Sequence, residues 1–178
     1  MIAILGYVLL ALMLGLAAVL AIAATRPDRF HVARTKRIAA APEHLFPMIN
    51  DLRQMNTWNP FALREIGGRG DYSGPTTGKG AKFTFDGRKS GTGQIEILDT
   101  VAPSKVVMRL AMMKPIKADN TVEFMLKLEG SATDVTWAMS GRQPLIGKAM
   151  TLFVDCDKMV GREFEQGLAN LKAIAEKA

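Results

Sequence analysis

The chain has 178 residues, one Cys, and 23 Lys and Arg against 17 Asp and Glu, for a formal net charge of +6. A single Cys excludes a disulfide framework, and with only two His no Cys/His cluster remains for a structural zinc site. The mean hydropathy of +0.10 is high and unevenly spread. Met1 to Ala24 carries no Lys, Arg, Asp, Glu or His, while regular apolar patterning after it argues against long disorder. This divides the chain into a membrane-length segment, residues 1–25, and one compact domain, residues 26–178, large enough to bury a sizeable core.

The first element is the uncharged run from Met1 to Ala24. As a helix rising ~1.5 Å per residue it spans a hydrocarbon core of ~30 Å. A cleaved signal peptide is the rival reading, since Ala21-Ile22-Ala23 has the small-residue look of a cleavage site. Against it, a basic leader is missing and the apolar run exceeds the usual ~7–15 residues, so an uncleaved anchor is preferred. Arg26, Arg29, Arg34, Lys36 and Arg37 follow closely, and the positive-inside rule then puts the domain in the cytoplasm. Gly6 and Gly15 are not spaced for close helix pairing, so no helix dimer is inferred.

Arg26-Pro27-Asp28 breaks the helix and Phe30 to Ile38 reads as a strand. Pro42 and Glu43 suit a helix start, and Leu45, Phe46, Ile49 and Leu52 follow at helical spacing. Pro47 lacks an amide donor, so two short helices are expected here. After Trp58-Asn59-Pro60-Phe61 the period changes to two, giving about six further antiparallel strands. Phe83 and Phe85 share a face, as do Ile95 and Ile97, and Val106, Met108, Leu110 and Met112. Val122, Phe124, Leu126 and Leu128 form another such set, followed by Val135, Trp137 and Met139. Gly67-Gly68-Arg69-Gly70 and Gly78-Lys79-Gly80 read as hairpin turns, because neither has the strand-to-helix setting of a phosphate loop. Phe153, Cys156, Val160, Phe164, Leu168, Leu171 and Ala175 recur near 3.6 residues over about seven turns, an amphipathic helix to cover the sheet. Gly167 inside it costs ~1 kcal/mol relative to Ala and points to close packing or to a gap left for something else.

This order resembles the START-like helix-grip superfamily, specifically its polyketide cyclase/dehydrase and lipid transport (SRPBCC) group. The resemblance runs from Phe30 to Lys172. It is carried by Ala41-Pro42-Glu43-His44-Leu45-Phe46, Asn50-Asp51-Leu52 with Trp58-Asn59-Pro60-Phe61, Gly91-Thr92-Gly93, Val135-Thr136-Trp137 and Gly167-Leu168-Ala169-Asn170-Leu171-Lys172. Pro47 departs from the pattern. The resemblance implies an α+β helix-grip fold, a curved antiparallel sheet wrapped around a long C-terminal helix, with a hydrophobic cavity between them. It also implies that the first short helix, carrying His44, lies near the cavity mouth.

Residue chemistry offers no catalytic constellation. Cys156 falls on an apolar stripe with no basic neighbour and reads as a buried structural thiol. His31 and His44 stand on different elements without an orienting carboxylate, Asp51 reads as capping or salt-bridging the second short helix, and Asp86 points opposite to Phe83 and Phe85, toward solvent. No pair of carboxylates shares an apolar face. Positive charge is scattered without interleaved aromatics, which disfavours nucleic acid. A filled core needs the same apolar residues as a ligand cavity, and the resemblance favours the cavity. Its expected lining is Phe83, Phe85, Met108, Leu110, Met112 and Phe124, then Trp137, Met139, Phe164 and Leu168, with access near Trp58 and Phe61. The partner is then a hydrophobic small molecule (lipid, quinone or polyketide-like) beside the membrane, with no cofactor and no metal. The alternatives are a cyclase/dehydrase-type enzyme, in which His44, Asn50 or Asp51 moves a proton, and a protein-interaction module.

Overall fold

A computed structural model describes residues 2–65, 69–152 and 155–177. Gly67, Gly68 and Phe153 therefore lie outside the described residues, as does the Cys156 side chain. The uncharged run forms one helix, α1 (Ile2–Ala24), whose large apolar side chains stand exposed along most of its length. Thr25 caps its end through Oγ1 to the Ile22 carbonyl at 2.7 Å, and the chain then enters β1 (Arg29–Ile38).

The segment after β1 forms short helices as expected, but the break between them is not at the proline. Pro47 does not split the helix: α2 runs unbroken over Pro42–Asn50, with Pro42 in its first turn. The break falls four residues later, because Asp51 turns extended and its carboxylate accepts from the Arg53 amide at 2.8 Å, capping α3 (Leu52–Met55) as expected. A third turn, α4 (Pro60–Leu63), is capped in the same way by Asn59.

Six strands follow: β2 (Arg69–Ser73), β3 (Lys82–Gly87), β4 (Gly91–Val101), β5 (Lys105–Lys114), β6 (Ala118–Glu129) and β7 (Ala132–Arg142). With β1 they form, among the described residues, an antiparallel sheet in the order β1-β7-β6-β5-β4-β3-β2. Gly70 belongs to β2, a short edge strand, rather than to a turn. Gly78 and Gly80 do sit in a turn, both at positive φ, where a side chain would be strained.

Two helices close the chain. α5 (Leu145–Met150), an element that the sequence patterning does not announce, packs against α1. The final helix, α6 (Cys156–Ala175), starts where the Asp155 carboxylate accepts from the Lys158 amide at 3.0 Å. Phe164, Leu168, Leu171 and Ala175 are buried against the sheet. Arg34 on β1 fastens the helix, donating to Asp157 at 2.8 Å and Glu165 at 2.9 Å. The two acceptors hold its guanidinium charged well above the ordinary arginine range. Gly161 leaves the space across α6 that this guanidinium fills. The result is the helix-grip α+β fold.

Candidate functional site

Strand alternation places one apolar face toward α6, but that face is not filled along its whole length. A cavity of about 470 Å³ lies between the sheet, α4 and the first half of α6. Phe83 and Phe85 of β3, Ile95 of β4, Leu110 and Met112 of β5 and Val122 of β6 wall it on the sheet side, with Trp137 and Met139 of β7. Phe61, Val160 and Phe164 close it on the helix side. Trp137 stacks on Phe164 at 4.3 Å between ring centroids and 10° between planes, so sheet and helix meet at the cavity's inner limit through parallel rings.

Eight of the twelve residues read from the sequence thus face this space: Phe61, Phe83, Phe85, Leu110, Met112, Trp137, Met139 and Phe164. Trp58, Met108, Phe124 and Leu168 do not. All four are 0% exposed and lie in the packed core. Trp58 donates its indole N–H to the Met48 carbonyl at 3.0 Å and meets Phe124 and Trp137 edge-on, so it serves as a keystone between α2 and the sheet rather than a gatepost. Gly167 leaves no gap. A Cβ there would stand 2.6 Å from Trp137 Cζ3 and 2.9 Å from Pro60 Cδ, which identifies close packing as its role. His44 is exposed on α2 and does not line the cavity, nor do Asn50 and Asp51; His31 is exposed on β1.

Several lining residues were missed. Asn120 is the most informative: it is 8% exposed, lines the cavity, and its Oδ1 has no hydrogen-bond partner among the described residues. Its carboxamide lies over Gly141 of β7, where a Cβ would collide with it. The signal was present, since Asn120 continues the alternation of Val122, Phe124 and Leu126 by one step. The Trp137 Nε1 is likewise buried without a partner. Tyr72 shows no signal in the sequence because β2 is too short for a visible alternation; its ring packs on Phe83 at 4.6 Å, under the Arg53 guanidinium at 4.2 Å.

The mouth lies where the exposed Asp86 and the half-buried Glu65, Gly87 and Ser90 gather, between the end of α4 and the β3–β4 turn. Asp86 is solvent-facing as expected and accepts from Thr92 Oγ1 at 2.7 Å. Glu65 accepts from the backbone amides of Arg88 at 3.0 Å, Lys89, and Ser90 at 2.7 Å. These donors, Ser90 foremost, hold its carboxyl below the ordinary carboxylate range. One side chain therefore straps the turn to α4 and frames the opening.

The chain belongs to the polyketide cyclase/dehydrase and lipid transport family, whose profile matches residues 29–176. A search of curated proteins found no match. Among solved structures it is similar to protein MLL2253 from Mesorhizobium loti (14% identity, TM-score 0.62, covering 84% of this chain and 98% of that one). It is also similar to protein CV1439 from Chromobacterium violaceum (16% identity, TM-score 0.59, 85% and 99% covered). DynU16, described as a putative protein in the dynemicin biosynthetic locus, is a third (16% identity, TM-score 0.59, 85% of this chain and 48% of that one). At these identities the likenesses establish the fold.

Proposed function

We propose that this member of the polyketide cyclase/dehydrase and lipid transport family is a membrane-anchored binding protein that holds a hydrophobic small molecule, a lipid, quinone or polyketide-like compound, between sheet and α6. The observation that carries the reading is the 470 Å³ cavity itself, within the ~300–1,000 Å³ range of small-molecule sites and walled by Phe, Met, Leu, Ile and Val. Methionines at positions 112 and 139 suit ligands of varied shape, because the thioether side chain is flexible and polarizable. Burial of apolar ligand surface at ~25 cal/mol per Å² would supply most of the affinity. The two rim carboxylates are already engaged, Glu65 by backbone amides and Asp86 by Thr92, which favours binding over proton transfer. Anchoring rests on α1, long and apolar enough to cross a bilayer, with the Arg-rich segment after it favouring a cytoplasmic domain.

The test is titration of full-length protein in detergent with the neutral fluorophore phenylnaphthylamine. Saturable binding is expected. Leu110→Asp and Met139→Asp should each weaken it more than tenfold, while His44→Ala leaves it unchanged. Binding that is non-saturable, or indifferent to both charged substitutions, would remove the cavity from the function.

A further inference from the structure

Strand register fixes which loops share the cavity's end of the sheet. Gly87 pairs with Gly91, Met112 with Ala118, Asn120 with Gly141, and Arg29 with Arg142. The β3–β4 turn, the β5–β6 turn, the start of β1 and the end of β7 therefore all lie at one end, the end from which α1 departs. α5 follows β7 there and packs against α1, and Lys148 of α5 pairs with Asp28 at the α1–β1 junction. Hence the cavity mouth, framed by Glu65, Asp86 and Ser90, opens at the end of the domain that faces the anchor.

The side chains at this end differ from those elsewhere. Arg88 and Lys89 in one turn, Lys114 and Lys117 in the other, and Arg29 and Arg142 between them are all exposed, and none pairs with a carboxylate among the described residues. At the opposite end most cations are matched instead: Arg37 pairs with Asp134, Lys105 with Glu123, Lys127 with Glu129 and Lys172 with Glu176, while Lys79 in the β2–β3 turn stands alone among the described residues. Two apolar side chains also stand in water at the cavity's end, Met113 near the end of β5 at 48% and Ile116 in the β5–β6 turn at 49% exposure. Unpaired cations around exposed apolar tips suit a surface that is anionic outside and apolar beneath.

We infer that this end is a docking surface for an anionic lipid bilayer, seated by the Arg88-Lys89 and Lys114-Lys117 turns with Ile116 reaching the acyl boundary, so that the cavity opens onto the leaflet and exchanges its ligand without crossing water. The inference rests on the anchored binding reading and adds an orientation to it. Attraction of Lys and Arg to an anionic leaflet falls off within a Debye length, ~8 Å at physiological salt. The anchor, with α1 ending at Ala24 and β1 beginning at Arg29, keeps these turns near the leaflet.

The experiment uses full-length protein in vesicles, with Cys156→Ser and a single fluorophore introduced through Ile116→Cys or, at the far end, Leu128→Cys. Quenchers are carried on the lipid tails. In vesicles of phosphatidylcholine with phosphatidylserine, quenching at position 116 should be at least ~3-fold stronger than at 128, should fall toward the value at 128 in pure phosphatidylcholine or ~1 M salt, and should be lost on Lys114→Glu with Lys117→Glu. Equal quenching at both positions, or indifference to lipid charge, overturns the docking surface; a turn that is silent on vesicles but protected by an acidic protein would reassign it to that partner. The underlying reading fails separately. If the protein does not stay in vesicles through carbonate extraction, α1 is no anchor, and if phenylnaphthylamine does not bind in detergent, the cavity is no binding site.

Discussion

The end of the sheet beneath α2 and α3 and the end beside α4 are built from the same kinds of residue, yet the first is solid and the second hollow. Along β5, Val106 and Met108 are fully buried while Leu110 and Met112 face the cavity; along β7, Val135 is fully buried while Met139 is not. Leu45, Ile49 and Leu52 descend from α2 and α3 onto the first end, and Met55 stands at the border, where it lines the cavity. Over the second stand the single turn of α4 and the first half of α6, held to each other by the Arg64–Glu163 ion pair. Strand period decides which face a side chain takes. Whether that face is filled depends on the cover above it, and the cover is set by where Asp51 and Asn59 restart the helix.

The sharpest way to break this contrast is truncation at each end. Phe124→Ala, in the solid end, should cost ~3–5 kcal/mol in chemical denaturation, since the Phe124 ring is 0% exposed and touches both Trp58 and Trp137. A loss below ~1 kcal/mol would mean that the solid end is not solid.

Gly167→Ala tests the border between the two ends. The new methyl gains ~1 kcal/mol of helix propensity, but it must displace Trp137 and Pro60, and overpacking costs ~1–3 kcal/mol. A net loss of ~1 kcal/mol is expected in thermal melts, with weaker phenylnaphthylamine binding because Trp137 moves into the cavity. A stabilised variant would show that the border yields easily.

The rim should respond to acid. The Glu65 carboxyl is depressed in the folded state, so its contribution is present above its unfolded value, ~4.3, and is lost as pH falls through the lower folded value. Protection of the Lys89 and Ser90 amides against hydrogen exchange should therefore drop below pH ~4, and Glu65→Gln should bring the same loss to neutral pH. Protection that persists in both cases would release Glu65 from the strap. The smallest effect is reserved for the hollow end: Met112→Ala should cost less than ~1 kcal/mol in denaturation, because its side chain borders the cavity and is only partly buried, while admitting bulkier probes.

What the sequence disclosed follows the same division. The sheet, its alternating faces and the covering helix were legible because periods of two and 3.6 extend over many residues. Met108 and Phe124 could not be told from cavity residues such as Leu110 and Met139, since all share the sheet's apolar face and differ only in what lies above them; Leu168 shares the α6 stripe with the cavity-facing Phe164, and Trp58 lies in the link between α3 and α4, where no period sets its direction. Asn120 lay in plain alternation but was passed over because a polar residue ends an apolar pattern by the usual reading. The α5 turn, six residues long, is too short to show a helical period, and Pro47 misled because a proline six positions into a helix still leaves the downstream turn intact.

The pairing of β1 with β7 has a bearing on how the protein is made. Ile38 meets Thr133 across about 95 intervening positions. A ribosome working at ~5–20 residues per second needs on the order of 5 to 20 seconds to cover that span. During that interval the first strand, just behind an already emerged apolar helix, is an unpaired edge tethered to whatever holds that helix. The charges along it, Arg29, Arg34, Lys36 and Arg37, discourage that edge from pairing with a neighbouring nascent chain. The domain closes only when β7 arrives to take its place beside β1.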